Sequence, residues 1–63
     1  MAVFNNVRRI LREKGISVTE FERGAGLQRG GFYKWEYHEP GISKVKAAAE
    51  YLGVSIDSLI TEE

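Results

Sequence analysis

The sequence predicts an all-α fold, a single compact domain of five short helices. Three observations predict it. Apolar residues recur at helical spacing in five stretches. Serine caps and glycine stops bound most of those stretches. The chain has 63 residues, 43% apolar and 29% charged, which suits one small domain with a packed core and not a disordered tail.

Phe4, Val7, Ile10 and Leu11 form the stripe of the first helix, with Arg8, Arg9 and Arg12 lying off it. Gly15 follows Lys14 and reads as a C-terminal glycine in the left-handed conformation, with a cation in the last turn as the helix dipole prefers. Ser17-Val-Thr-Glu20 has the form of a capping box, so the second helix starts there. Its apolar face is Val18, Phe21 and Ala25, and Gly26 stops it. Leu27 is the one apolar residue between Gly26 and Gly31, which predicts a turn plugged into the core by one side chain.

The third helix is expected to resume around Arg29, with Phe32 and Trp35 facing inward and Gln28, Arg29, Tyr33 and Lys34 on the outer side. His38-Glu39-Pro40-Gly41 is the strongest loop signal, and Ser43 after it is the expected N-cap of the fourth helix. Val45, Ala48, Ala49 and Leu52 make that helix's apolar face, and Gly53 ends it. Ser55 caps a last short helix, with Asp57 in its first turn and Ile56, Leu59 and Ile60 as its apolar side. Residues 1–63 thus form one domain, and the stretch from about residue 17 to 36 has the layout of a helix-turn-helix unit.

Several functions fall away on composition. With no cysteine, neither disulfides nor a Cys-based zinc site can reinforce so small a core, which leaves oligomerisation as the common remaining staple and points to an intracellular chain. No apolar run approaches the roughly 20 residues that span a bilayer, and the N-terminus lacks the succession of a signal peptide, so no membrane partner is expected and the cytoplasm is the expected location. His38 stands beside Glu39 without a second histidine, so neither a metal nor a cofactor is expected. No nucleophile and base occur at recognisable spacing, and the chain has little room for a substrate pocket of roughly 300 Å³, so the protein is not expected to be an enzyme.

Net charge is zero, yet it is unevenly spread. Residues 1–34 carry seven basic side chains (Arg8, Arg9, Arg12, Lys14, Arg23, Arg29 and Lys34) against three acidic ones, a local charge of +4. Residues 35–63 carry Lys44 and Lys46 against six acidic side chains, a local charge of −4. A molecule polarised in this way can orient itself on a polyanion although its total charge vanishes.

Phe4-Asn-Asn-Val-Arg-Arg-Ile-Leu-Arg-Glu-Lys-Gly-Ile-Ser17, Phe21, Gly26-Leu27, Phe32-Tyr-Lys-Trp-Glu36, Pro40 and Leu52-Gly-Val-Ser-Ile-Asp-Ser-Leu59 together resemble the Cro and repressor family of phage and bacterial regulators. This is the Cro/C1-type, or xenobiotic response element, helix-turn-helix family, and the chain is particularly similar to phage-type repressors of Gram-positive bacteria. The resemblance spans nearly the whole chain. It implies a compact five-helix, lambda-repressor-like DNA-binding domain, a cytoplasmic homodimer on a two-fold double-stranded DNA operator, and control of transcription. Two positions depart from the family pattern. Val18 stands where a glutamine usually contacts a phosphate. Glu22 stands where a small alanine usually lets the second and third helices approach, which predicts either a wider crossing or a side chain that escapes along the surface.

On this reading the third helix enters the major groove with its N-terminal end against the base edges. Arg29 is the first candidate reader, since its planar fork matches the O6 and N7 of guanine. Gln28, Tyr33 and Lys34 complete the base-reading set; the competing reading for all four is a solvated polar face. Contacts to the DNA backbone are expected from Arg8, Arg9, Arg12, Lys14, Thr19 and Arg23.

Gly30 and Gly31 are also candidate backbone contacts, because a bare first turn would offer its amides to a phosphate. The other reading is that the helix begins later, near Phe32, with both glycines in an extended turn. Phe32 and Trp35 could in principle stack on bases, but their i, i+3 spacing fits the inward stripe. Val54, Ile56, Leu59 and Ile60 offer more apolar surface than a short helix easily buries and are the expected dimer interface, the competing reading being that they close the core.

The function expected from the sequence is therefore a sequence-specific double-stranded DNA-binding transcriptional regulator, acting as a repressor. The main rival is a protein-interaction module, antitoxin-like or anti-repressor, on the same fold. A third reading is a fragment of a larger repressor.

Overall fold

The computed structural model describes residues 2–61; Met1 and two residues of the acidic half, Glu62 and Glu63, lie outside them. Five helical segments and no strand occur among the described residues: α1 (Ala2–Lys14), α2 (Val18–Gly24), a 3₁₀ helix (Gly31–Glu36), α3 (Ile42–Leu52) and α4 (Ile56–Ile60). All-α architecture and element order follow the sequence pattern.

Each helix contributes its apolar stripe to one core. Val3, Phe4, Val7, Ile10 and Leu11 come from α1, Phe21 from α2, Phe32 and Trp35 from the 3₁₀ helix, Val45, Ala48, Ala49 and Leu52 from α3, and Leu59 from α4. Phe32 is at the centre, with no exposed surface. Its ring stacks on Phe4 at 4.9 Å and meets Phe21 and Trp35 edge-on at 5.4 and 5.3 Å. Aromatic pairs of this kind add about 0.5–1.5 kcal/mol each beyond their buried area. In so small a core, they tie the 3₁₀ helix to α1 and α2 together.

Helix ends are set by local hydrogen bonding. At the end of α1, the Gly15 amide bonds Arg12 and the Ile16 amide bonds Leu11, at 3.3 and 2.9 Å. At the end of α2, Gly26 bonds Arg23 and Leu27 bonds Glu22, at 3.4 and 2.7 Å; at the end of α3, Gly53 bonds Glu50 and Val54 bonds Ala49, at 3.3 and 3.0 Å. All three are the double closure in which a left-handed residue turns the chain and the next residue bonds back five positions. The apolar residue that follows each glycine, Ile16, Leu27 or Val54, packs against the core. Ser55 caps α4 as expected, accepting from the Ser58 amide at 3.2 Å.

Three expectations need correction. The third helix does not start at Arg29: it is a 3₁₀ helix that starts at Gly31. Ser43 is not the cap of the fourth helix. Gly41, in extended conformation, precedes α3, and its carbonyl already accepts from the Lys44 and Val45 amides at 3.0 and 3.2 Å, so the first turn has closed before Ser43 can act. Leu59, assigned to the dimer interface, is wholly buried, because α4 lies across α1 and turns that side chain into the shared core.

One polar contact holds the two ends of the chain together. The buried Asn6 carboxamide donates to the Leu59 carbonyl at 2.8 Å and to the Thr61 carbonyl at 2.9 Å. These are among the terminal carbonyls of α4, which have no partner within their own helix.

Candidate nucleic-acid interface

The unit from Ser17 to Glu36 is assembled from local motifs and one long reach. Ser17 forms the expected capping box: its hydroxyl accepts from the Glu20 amide at 3.1 Å, and the Glu20 carboxylate accepts from the Ser17 amide at 3.1 Å. The Ser17 backbone bond, followed by its hydroxyl, lowers the Glu20 carboxyl below its ordinary value of 4.5. After α2, Leu27 dips against the core as a plug.

Gln28 to Gly31 then form a closed turn, with the Gly31 amide bonded to the Gln28 carbonyl at 2.8 Å. Gly30 has φ 78° and ψ −4°, the values of the third residue in a type II turn, which a side chain would strain. Arg29 is consequently the corner of a hydrogen-bonded turn. Of the two readings of the paired glycines, the later helix start holds, with Gly30 in the turn and Gly31 the first helical residue.

Glu22 neither widens the crossing nor escapes along the surface. It is 5% exposed, and its carboxylate lies under the turn. One oxygen accepts from the Gly30 amide at 2.9 Å and the other from the Phe32 amide at 3.0 Å. The start of a helix leaves amides without partners, and a buried one left unpaired costs about 1–3 kcal/mol. Glu22 supplies those amides with charged acceptors, which make the stronger class of hydrogen bond.

That arrangement corrects the expectation for Gly30 and Gly31 as phosphate donors. The Gly30 and Phe32 amides are committed to Glu22 and the Gly31 amide to Gln28. The bareness of this turn remains, but the amides of Gly30, Gly31 and Phe32 are already occupied.

The candidate side chains gather into separate hollows, two of them beside the turn. Arg29 meets Thr19 and Arg23 along a groove of about 390 Å³, with Glu22 and Leu27 behind them. Gln28 and Lys34 share a cleft of about 260 Å³ backed by Leu27 and Trp35. Arg8, Arg9 and Arg12 line a third, shallow hollow with Asn5 on the outer face of α1. Tyr33 is 56% exposed, with its ring 6.0 Å from that of Phe32. Lys14 is exposed at the end of α1. The burial of Phe32 and Trp35 leaves neither face free for a base.

Charge is available where it is needed. Among the described residues the one ion pair is Arg9 with Glu13, at 3.5 Å on the exposed face of α1, so Arg23, Arg29 and Lys34 are unpaired. Arg8 places its guanidinium 5.8 Å from the centre of the Phe4 ring. No group of three metal-ligating side chains occurs among the described residues, and no helix is long and apolar enough to cross a membrane.

Three side chains of this surface escaped the sequence reading. Lys44, from the first turn of α3, reaches the same cleft as Gln28 and Lys34, and His38 and Glu39 join it from the connecting loop, so the cleft holds a carboxylate beside its cations. A signal for Lys44 was present: a cation in a first turn without an acidic residue opposes the helix dipole, so it calls for an external anion.

Residues 6–62 match the family model of the Cro/C1-type HTH DNA-binding domain. No curated protein and no solved structure matches the chain.

Proposed function

Because this chain belongs to the Cro/C1-type HTH DNA-binding family, we propose that it is a sequence-specific repressor of transcription, working in the cytoplasm as a homodimer on double-stranded DNA. The observation that carries this reading is the turn stapled by Glu22. It presents Gln28, Arg29, Tyr33 and Lys34 outward while Phe32 and Trp35 anchor the same segment in the core.

A six-residue 3₁₀ helix is about 12 Å long, comparable to the width of the major groove, so the turn and first residues meet the base edges. Arg29 reads guanine, Gln28 and Lys34 read neighbouring bases, and Tyr33 contacts a base or the backbone. Thr19 and Arg23 hold the phosphates beside Arg29, and Lys44 those beside Lys34. Arg8, Arg9, Arg12 and Lys14 extend the electrostatic footprint along α1.

The dimer edge is proposed on Ile60, which is 48% exposed, together with the half-buried Val54 and Ile56. A two-fold dimer places its recognition segments about 34 Å apart, one turn of DNA. Selection of tight binders from a random duplex library tests the proposal. An inverted repeat is the expected result, with affinity that falls steeply as salt rises. Arg29→Ala should bind the selected site about 5- to 150-fold less tightly, the range of one lost bidentate base contact. Equal binding by that variant would remove Arg29 from the reading, and a selection that recovers no duplex would remove the function.

A further inference from the structure

The outer face of α1 carries an unbroken polar stripe. Asn5, Arg8, Arg9 and Arg12 lie at i, i+3, i+4 and i+7, all exposed, and line a hollow of about 320 Å³ that no apolar side chain enters. Among the described residues only Arg9 has a carboxylate partner, Glu13 at 3.5 Å. Arg8 and Arg12 are four positions apart and Arg9 and Arg12 three, spacings at which like charges on a helix repel. One acidic side chain thus offsets three cations, and the face calls for an external anion. Two of the guanidiniums are already held in place, Arg8 at 5.8 Å from the centre of the Phe4 ring and Arg9 against Glu13. Cations fixed beforehand lose less freedom when a partner arrives.

This face points away from the surface proposed for the duplex. α1 turns its other side, with Phe4, Val7, Ile10 and Leu11, into the core, where Phe4 stacks on Phe32 of the 3₁₀ helix. Two elements packed through their inner sides expose their outer sides in different directions. The α1 hollow accordingly shares no residue with the groove of Arg29 or the cleft of Lys34, whereas those two share Leu27. A straight duplex seated on the turn does not touch the back of α1. The electrostatic footprint assigned to α1 above acts by steering, which needs no contact.

We propose that the Asn5–Arg8–Arg9–Arg12 face docks an acidic segment of a second protein, and does so while the domain is on DNA. The guanidinium forks take carboxylates in pairs of hydrogen bonds, and the Arg8 and Arg12 positions are spaced about 6 Å along the helix axis. The matching segment therefore repeats its carboxylates at that interval and needs no apolar anchor. This interface goes beyond the duplex-binding reading and does not depend on it.

The probe is a peptide of eight glutamates, titrated into the wild-type protein alone and into the protein saturated with its selected duplex. Amide shifts are expected to move at Asn5, Arg8, Arg9 and Arg12 in both titrations, with peptide and duplex bound together. The triple variant Arg8→Gln, Arg9→Gln, Arg12→Gln should bind the peptide about tenfold less tightly, a little over twofold for each exposed ion pair. Its duplex affinity should keep the wild-type salt slope, whereas three lost phosphate contacts would reduce that slope by about 2.7. Arg12→Glu, which leaves the Arg8–Phe4 contact and the Arg9–Glu13 pair in place, should also weaken the peptide, and thermal unfolding checks that both variants fold. Displacement of the peptide by duplex, a smaller duplex salt slope in the triple variant, or a folded variant of either kind that binds the peptide as tightly as wild type would each overturn the assignment. A selection that yields no duplex would overturn the duplex-binding reading instead, and the titration of the free protein would then decide this one.

Discussion

The Glu22 carboxylate accepts the Phe32 amide at 3.0 Å, joining α2 to a helix that begins after the intervening turn. The same carboxylate holds Gly30, so a single acidic side chain sets both the turn and the first hydrogen bond of the segment behind the exposed Arg29. Replacing it leaves two amides without partners, one of them buried. Glu22→Ala should lower stability by about 2 kcal/mol, and Glu22→Gln, which keeps one acceptor oxygen, by less. Urea unfolding of the three proteins checks the order. An alanine variant as stable as wild type would show that water replaces the carboxylate at no cost.

Asn6 ties α1 to the end of α4 through the Leu59 and Thr61 carbonyls. Asn6→Leu keeps the branched outline of the side chain, with slightly larger methyl ends, but removes both N–H donors, and should cost about 1–3 kcal/mol. In a domain of this size that corresponds to a fall in Tm of about 5–20 °C. Hydrogen exchange should show α4 opening ahead of the rest, and a variant in which α4 keeps wild-type protection would contradict the clamp.

Gly24 lies under the ring of Tyr51, whose Cε1, Cδ1 and Cζ atoms occupy the space that a Cβ at Gly24 would need. That ring also packs on Phe21, with centroids 5.8 Å apart. Gly24→Ala therefore displaces Tyr51 in the wild-type background. In a Tyr51→Ala background the same substitution should stabilise by about 0.5–1 kcal/mol, because only the helix preference remains. A double-mutant cycle measures the coupling, and additivity of the two substitutions would show that Tyr51 moves aside freely.

Glu20 makes stability depend on acidity. Its carboxyl is held below its ordinary value of 4.5 by the Ser17 amide first, then the Ser17 hydroxyl, with a smaller contribution from Arg23. A depressed folded-state value means that the contribution is fully present above 4.5 and is lost as pH falls through that lower value. Denaturation midpoints measured from neutral to acidic pH should fall less steeply below 4.5 for Glu20→Gln than for wild type. Parallel acid limbs would show that the capping box contributes nothing through charge.

Most features whose partners lie within about five residues were legible in the residue string, the cap at Gly41 in place of Ser43 and the helix start at Gly31 being the local exceptions. The Ser17–Glu20 box, the stops at Gly15, Gly26 and Gly53, the Ser55 cap and the inward pair Phe32 and Trp35 all formed as the pattern predicts. Each depends on backbone geometry that repeats every turn, so spacing alone determines who meets whom. The overall all-α fold follows from the same stripes.

Features that depend on chain reversal were decided by the tertiary structure. Glu22 looked like an intrusion between helices until the turn brought the Gly30 and Phe32 amides to it. Leu59 could belong to the dimer edge or to the core until α4 settled on α1, and Lys44 reached the Gln28–Lys34 cleft only through the path of the Pro40-Gly41 loop. In a helix of known phase a side chain's direction follows from its position, but a buried polar group is stable only if the fold delivers its partner, and that delivery depends on how separate helices pack.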